Sequence, residues 1–195
     1  MTLHRVAALG LLLSMPAWVT AEEPSKLPAE GIEITELIER FARRSGKQFI
    51  IDPRVRAQVP LAGLDAGQID YAQLLTILDV HGFAVAEIGG LLAVMPDANA
   101  RQFPSPTYTD ARFKSADSEL VTLLQQYKKV CAAQLVPVLR PLMPQAAHLA
   151  ALPATNTLII NGHAAEVRRI ANLAQELDSR GTADGANCEG SRKSD

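Results

Sequence analysis

Two blocks of alternating strand and helix patterns, separated by a polar segment, set the narrowest limits on how this chain can fold. The first block covers residues 31–96 and the second covers residues 119–178. Residues 97–118 between them are rich in Pro, Ser, Asp and Asn, which is typical of a linker. Each block has about 60 residues, a small but sufficient size for an independent domain. The sequence therefore predicts two small mixed αβ domains, and the chain belongs to the α+β class.

The first block has the pattern strand, helix, strand, strand, helix, strand, strand. Apolar residues at helical spacing predict the first helix, and Gly46 suits the left-handed conformation at its end. Asp70 followed by Gln73 is a capping-box pattern, which predicts the start of the second helix. Gly89 and Gly90 between two apolar runs predict a β-hairpin. Short strands are also expected at residues 48–52 and 59–61.

The second block has the pattern strand, helix, strand, strand, helix. Its helical segment at residues 131–143 contains Pro137 and Pro141, which lack a backbone donor. We therefore predict a first helix that starts late or is kinked. Asn156 suits a turn between two strands. The strands of this block are predicted at residues 120–127, 148–152 and 157–161.

The first 21 residues have the three-part organisation of a secretory signal peptide. Arg5 precedes an apolar run at residues 6–15, and small side chains follow up to Ala21. The apolar run is about half the length of a membrane span. We predict cleavage after Ala21, a polar lead-in at residues 22–30 and export to the periplasm. A short, uncleaved membrane anchor is the alternative.

The end of the chain is polar, and it carries one of the two cysteines. Residues 179–195 are mostly Gly, Ser and charged residues, which predicts a disordered tail. Cys188 lies in this tail, whereas Cys131 lies at the start of an apolar segment. Export permits a disulfide bond. The sequence leaves open whether the two cysteines pair or whether Cys131 is a buried free thiol.

Charge and motifs argue against several classes of function. The formal net charge is −2, which gives no electrostatic footprint for nucleic acid and no polybasic patch for lipid. His81, His148 and His163 have no second ligand at a metal-binding spacing. Cys131 lies in no nucleophile motif. We therefore expect no catalytic residue, no metal ion, no cofactor and no small-molecule substrate, and no membrane-spanning segment after signal removal.

Four segments resemble the periplasmic N-terminal region of secretins, the outer-membrane channel proteins of type II secretion and type IV pilus systems. The segments are the strand and Asp-Pro turn at residues 49–56, the helix end and strand at 78–85, the Asn-containing strand at 154–162, and the helix at 166–178. The similarity runs in order from residue 31 to residue 178 and is greatest to the type II secretin.

This resemblance implies a fold for each block. The first block is expected to have the fold of the leading secretin domain, which the signalling domain of TonB-dependent receptors shares. The second block is expected to be KH-like. It has no Gly-x-x-Gly loop, so RNA binding is not expected. The sequence has no segment similar to the channel-forming domain, which leaves a binding or assembly role in the periplasm.

The resemblance also implies protein partners. In the secretin family the leading domain contacts the inner-membrane platform component and is implicated in contacts with secreted substrates, and the KH-like domain packs side to side in a ring. Strand edges in the first block and basic residues on the last helix are therefore candidate partner-binding positions. They are Ile32, Ile34, Val59, Leu61, Arg168 and Arg169. The simpler interpretation is that the four apolar residues belong to the core and that the arginines lie on a solvated helix face.

The favoured hypothesis is a non-enzymatic docking module of a type II secretion or related type IV pilus-like machine. It would bind the platform component, the secretin ring or a secreted substrate. Two alternatives remain: a signalling module related to the N-terminal domains of TonB-dependent receptors, and a truncated secretin product.

Overall fold

The computed structural model describes residues 31–182, so the predicted signal peptide, the lead-in and the tail from residue 183 lie outside the described residues. The described part contains nine strands and five α-helices. In chain order they are β1 (Ile32–Glu33), α1 (Ile34–Ser45), β2 (Phe49–Ile51), β3 (Gln58–Val59), α2 (Tyr71–Val80), β4 (Phe83–Ile88), β5 (Leu91–Pro96), α3 (Asp97–Ala100), β6 (Thr107–Tyr108), β7 (Leu120–Gln126), α4 (Ala132–Leu139), β8 (His148–Leu152), β9 (Thr157–His163) and α5 (Ala164–Arg180).

The first unit, β1 to β5 with α1 and α2, has the predicted order of elements. Its main sheet has three strands in the order β2-β5-β4, with β2 parallel and β4 antiparallel to β5. Strands β1 and β3 form a separate two-stranded ribbon. The core includes Ile34, Leu37 and Ile38 of α1 and Leu74 and Leu78 of α2, each fully buried.

Local sequence signals produce the helix ends and the hairpin of this unit. Gly46 has φ 72° and its N–H donates to the Ala42 carbonyl oxygen, which closes α1. The Asp70 carboxylate accepts from the Gln73 N–H at 2.8 Å, and the Gln73 side chain accepts from the Asp70 N–H at 2.8 Å. Gly89 and Gly90 both have positive φ, as a two-residue β-turn requires. All three sequence predictions are confirmed.

Strand β3 lies one residue earlier than predicted. It covers Gln58–Val59 instead of residues 59–61. Pro60 follows directly and has no N–H to donate to a strand partner, so the pairing ends before it.

The segment interpreted as a linker contributes structure to both units. Its helix α3 directly follows β5, and Ala100 at the end of this helix is buried. Further along, β6 pairs in parallel with β7 and adds an edge strand to the second sheet. The Ser105 and Thr122 hydroxyls hydrogen-bond at 3.0 Å beside this pairing.

The second unit, β7 to β9 with α4 and α5, has the predicted KH-like order. Its four-stranded sheet has the order β6-β7-β9-β8, and β7 and β8 are antiparallel to β9. Both helices pack on one face of this sheet. The core includes Val121, Leu123, Leu158, Ile160 and Ile170, all fully buried.

Helix α4 begins at Ala132 and contains Pro137, so the late start that the sequence predicted as one of two possibilities is wrong. The helix ends at Leu139, earlier than the predicted segment. Pro137 has no N–H to donate to the Ala133 carbonyl. Ala133 is solvent-exposed, so water can hydrogen-bond to that carbonyl instead. The chain then tightens into a 3₁₀ turn at Arg140–Leu142, which contains Pro141. Helix α5 runs to Arg180, two residues into the segment predicted to be disordered.

The Cys131 side chain is buried, but it is not a free thiol. Its exposed fraction is 3 %, and it is disulfide-bonded. Of the two alternatives that the sequence leaves open, the buried free thiol is therefore wrong. Cys188, the other cysteine of the sequence, lies outside the described residues.

Asn156 fastens the β8–β9 turn to the loop between β7 and α4. It has φ 50°, and its side-chain amide donates to the carbonyls of Tyr127 and Val130 at 2.9 Å each. Its Oδ1 accepts from the Ala132 N–H at 2.7 Å, which caps α4. On the other side of this loop, the Asp178 carboxylate accepts from the N–H groups of Lys129 and Val130 at 2.7 and 2.9 Å.

Replacing Asn156 should therefore destabilise the second unit. We expect Asn156→Ala to lower the free energy of unfolding by about 3 kcal/mol, because it removes three half-buried hydrogen bonds and places alanine at positive φ. Asn156→Gly relieves the backbone strain and should restore about 1 kcal/mol of that loss. Urea unfolding measures both.

Asn172 on the exposed surface of α5 provides the matched control. Asn172→Ala should change stability by less than about 0.5 kcal/mol. Equal effects of Asn156→Ala and Asn172→Ala would contradict the role given to Asn156.

Candidate functional site

The β1–β3 ribbon leaves main-chain groups on its outer edges. Ile32 pairs with Val59 and Glu33 pairs with Gln58. The Ile34 N–H donates to the Ala57 carbonyl at 3.0 Å, so the bonds within the ribbon fall on either side of the Glu33–Gln58 pair. Because hydrogen-bonded and non-hydrogen-bonded pairs alternate in antiparallel strands, the N–H groups of Glu33 and Gln58 point outward.

The predicted apolar site residues do not supply exposed side chains at this ribbon. Ile34 is fully buried and Val59 is 3 % exposed, and both belong to the core of the first unit. Ile32 and Leu61 are half-buried and pack against the same core. The simpler interpretation therefore holds for these side chains. The exposed feature of the ribbon is its backbone edge, with the outward N–H groups of Glu33 and Gln58.

Arg168 is held by its own chain. Its guanidinium donates to the Asp117 carboxylate and, at 3.4 Å, to the Ser115 carbonyl. It also lies over the Phe113 ring, 5.2 Å from the ring centre. Arg168 thus fastens residues 113–117 to α5, and the expectation of a solvated side chain is wrong.

Arg169 also has an internal partner, but it stays on the surface. Its guanidinium donates to the Leu142 carbonyl, which closes the 3₁₀ turn against α5. The side chains at successive i+4 positions, Leu173 and Leu177, are each 40 % exposed. These three residues form a partly apolar stripe on α5, the α5 stripe.

The opposite face of the second sheet has an apolar row that no helix covers. Leu124 of β7 lies opposite Ile159 of β9, which lies opposite Ala150 of β8. Leu124 is 36 % exposed, and Ile159 and Ala150 are half-buried. We call these three residues the open-face row. It and the α5 stripe lie on opposite sides of the unit.

The two units meet through small apolar side chains. Ala84, Ala86, Ala93 and Met95 lie on the face of the first sheet that is turned away from α1 and α2. Leu120, the first residue of β7, packs onto them. Alternation along β4 explains the sidedness, because Phe83 and Val85 point to the helices instead.

A buried histidine lies beside this apolar contact. His163, the last residue of β9, is 5 % exposed. Its Nε2 lies 3.3 Å from Asp79 of the first unit and 3.4 Å from Asp97 at the start of α3. Neither contact has the direction of a regular hydrogen bond, so the attraction is that of an ion pair shared by two carboxylates. Its Nδ1 lies 3.0 Å from the Ser118 carbonyl oxygen.

The sequence does not predict this cluster, because no local pattern joins His163 to Asp79 or Asp97. A buried position at the end of an apolar strand, TLIINGH, was the available signal.

Outside this cluster, an ion pair of Arg54 with Asp52 fixes the turn after β2. Hydrogen bonds from the Arg54 side chain, then from its backbone N–H, lower the pKa of Asp52 to about 2 and fix the Asp-Pro turn after β2. Across residues 31–182, no group of three or more His, Cys, Asp or Glu side chains is placed to hold a metal ion. Within the same range, no helix combines the length and apolar character needed to cross a bilayer.

Two domain families match the chain in the order of the two units. The family described as GspD-like, N0 domain, matches residues 28–94. The family described as the bacterial type II/III secretion system short domain matches residues 128–183.

Curated secretins show the same similarity over most of this chain. Secretin XcpQ of Pseudomonas aeruginosa is 32 % identical over 174 residues, which cover 87 % of this chain and 25 % of XcpQ. Secretin PulD of Klebsiella pneumoniae is 31 % identical over 175 residues, covering 87 % of this chain and 26 % of PulD. The chain therefore spans about a quarter of the length of these relatives.

A solved assembly supports the fold. The chain aligns with a solved structure of the Klebsiella pneumoniae type II secretion system outer membrane complex, which contains PulD, PulS and the PulC HR domain. The TM-score is 0.65 and the sequence identity is 29 %. The alignment covers 76 % of this chain and 26 % of the matched chain. With both domain families matched in order, the chain carries the GspD-like N0 domain and the following short domain of the N-terminal region of type II secretion secretins.

Proposed function

We propose that this chain is a non-enzymatic docking module in the periplasm, acting in a type II secretion or related type IV pilus-like machine. The observation that carries the proposal is the ordered match of both units to the N0 and short domains of secretins. The similar Klebsiella assembly contains an HR domain of PulC beside PulD. The counterpart of that domain is the partner we propose for the first unit.

The ribbon edge is the feature of the first unit that suits such a partner. The outward N–H of Glu33 or Gln58 can donate to a carbonyl of an added strand, which gives affinity through main-chain hydrogen bonds. The side chains of Ile34 and Val59 support this edge from within the core instead of contacting the partner.

The second unit has two surfaces that suit contact between copies. The open-face row and the α5 stripe are both partly apolar and lie on opposite sides of the sheet. A contact of one copy's row with the next copy's stripe uses different patches on the two copies, and such contacts close into a ring where the rotation between copies closes. We propose this contact as the route to a secretin ring.

The signalling alternative accounts for less of the chain. It explains the fold of the first unit, whereas the second unit matches a secretion-system domain. We therefore place the function in secretion.

Proline substitutions test the ribbon edge. Glu33 has φ −60°, which proline adopts without strain, so Glu33→Pro removes the outward N–H and keeps the ribbon. Gln58→Pro removes the corresponding donor on β3. An added strand would use one of the two outer edges, so at least one of the two proline variants should bind more weakly. We expect that variant to bind the cognate HR domain at least about tenfold more weakly in calorimetry, because the lost main-chain bond leaves an acceptor of the partner unsatisfied.

Alanine at the same positions provides the matched controls. Glu33→Ala and Gln58→Ala keep the N–H groups and should bind within about twofold of the parent chain. Circular dichroism and thermal unfolding confirm that each proline variant is folded. If both folded proline variants bind as the parent does, docking through the ribbon edge is wrong.

Charged substitutions test the contact between copies. Ile159→Asp and Leu173→Asp should each raise the concentration needed for self-association by at least about tenfold, because each places a charge in an apolar contact. Analytical ultracentrifugation of the chain measures this. Val80→Asp is the control, since Val80 is 78 % exposed in the first unit, outside both surfaces. An equal effect of all three substitutions would show only nonspecific association and would overturn the proposal.

A further inference from the structure

The surroundings of His163 favour a doubly protonated imidazole. The Ser118 carbonyl lies at Nδ1, and the Asp79 and Asp97 carboxylates lie around Nε2. All three groups are acceptors. A neutral imidazole has one nitrogen without a hydrogen, which would face a negatively polarised oxygen. With both carboxylates ionised, only the imidazolium is favourable on both sides.

The charged groups around this histidine come from three of the elements near it. Asp79 belongs to α2, Asp97 begins α3, and Glu166 lies in the first turn of α5. Burial raises the pKa of Glu166, while the charge of His163 opposes that effect, and Arg169 faces Glu166 from the same helix. His163 is therefore the cation that two carboxylates of the neighbouring elements share.

Hydrogen bonds of Ser118 extend the cluster across the contact. Its hydroxyl donates to Asp79 Oδ2 at 3.0 Å, while its carbonyl lies at His163 Nδ1. The segment that precedes β7 is thereby joined both to α2 and to the end of β9. The apolar part of the contact is small, because three of its side chains from the first sheet are alanines.

We propose that His163, Asp79 and Asp97 form a proton-dependent latch that holds the two units of this chain at one fixed angle. With the proton in place, the cation attracts both carboxylates. Without it, the two carboxylates remain close together with no cation between them, and the neutral ring turns an unprotonated nitrogen toward an oxygen. The small apolar contact then has to hold the units alone.

The pH range in which the latch opens follows from the pKa of His163. Burial lowers this pKa, but the contacts with Asp97 and Ser118 and the charges of Asp79 and Asp97 outweigh burial and raise it from 6.5 to about 9. A pKa that is higher when the latch is closed means that protonation stabilises the closed form. The contribution is complete below about pH 6.5 and is lost as the pH rises through about 9.

Nuclear magnetic resonance of the full chain tests the latch. Histidine side-chain spectra give the pKa of His163, and residual dipolar couplings report whether the two units share one alignment. We expect one alignment at pH 6 and separate alignments above pH 10. His163→Gln should show separate alignments at both pH values, with each unit still folded. His148→Gln changes an exposed histidine of the same unit and should behave as the parent chain.

Carboxamide variants provide a second test that does not alter the histidine. Asp79→Asn and Asp97→Asn keep the side-chain size, and each should lower the pKa of His163 by about one unit or more. The onset of separate alignments should move to lower pH by the same amount. If the units keep one alignment in His163→Gln at pH 10, or if the carboxamide variants leave the pKa of His163 unchanged, the latch is wrong.

Discussion

The second face of the first sheet is the constraint on which the arrangement of the chain depends. Helices α1 and α2 cover only one side of this three-stranded sheet. The other side carries Ala84, Ala86 and Ala93, whose small side chains allow another layer to approach closely. Helix α3 and Leu120 fill that space, so the first unit buries its sheet only by contact with the rest of the chain.

Features that depend on a few neighbouring residues can be predicted from the sequence. The capping box at Asp70, the left-handed Gly46 and the Gly89-Gly90 turn each depend on neighbours within about four positions. The resemblance to secretins supplied the fold of both units. Strand β3 was misplaced by one residue because Pro60 ends the pairing, a local rule that the apolar pattern concealed.

Interactions between segments that are distant in the chain cannot be predicted from the sequence in the same way. The Asn156 side chain suggested a turn, but its bonds to Tyr127 and Val130 exist only once β7 and β9 are paired. Arg168 was expected on a solvated face, yet the segment before β7 folds back to meet it. The polar composition of residues 97–118 predicts a linker. Composition alone does not show that β6, which lies in this segment, pairs with β7.

A charged contact between the units has a different physical consequence from an apolar one. Replacing a whole buried ion pair by apolar residues often costs little stability, because desolvation of the charges offsets their attraction, but removing one charge leaves its partner buried and unpaired and is strongly destabilising. Such pairs also fix direction and distance, since an imidazolium between two carboxylates tolerates little displacement. The ribbon edge lies in the first unit and the open-face row lies in the second. A module of the kind proposed above, with one partner on each surface, would need a set angle between them more than a tighter contact, and the proposed latch of His163 with its two aspartates would supply that angle.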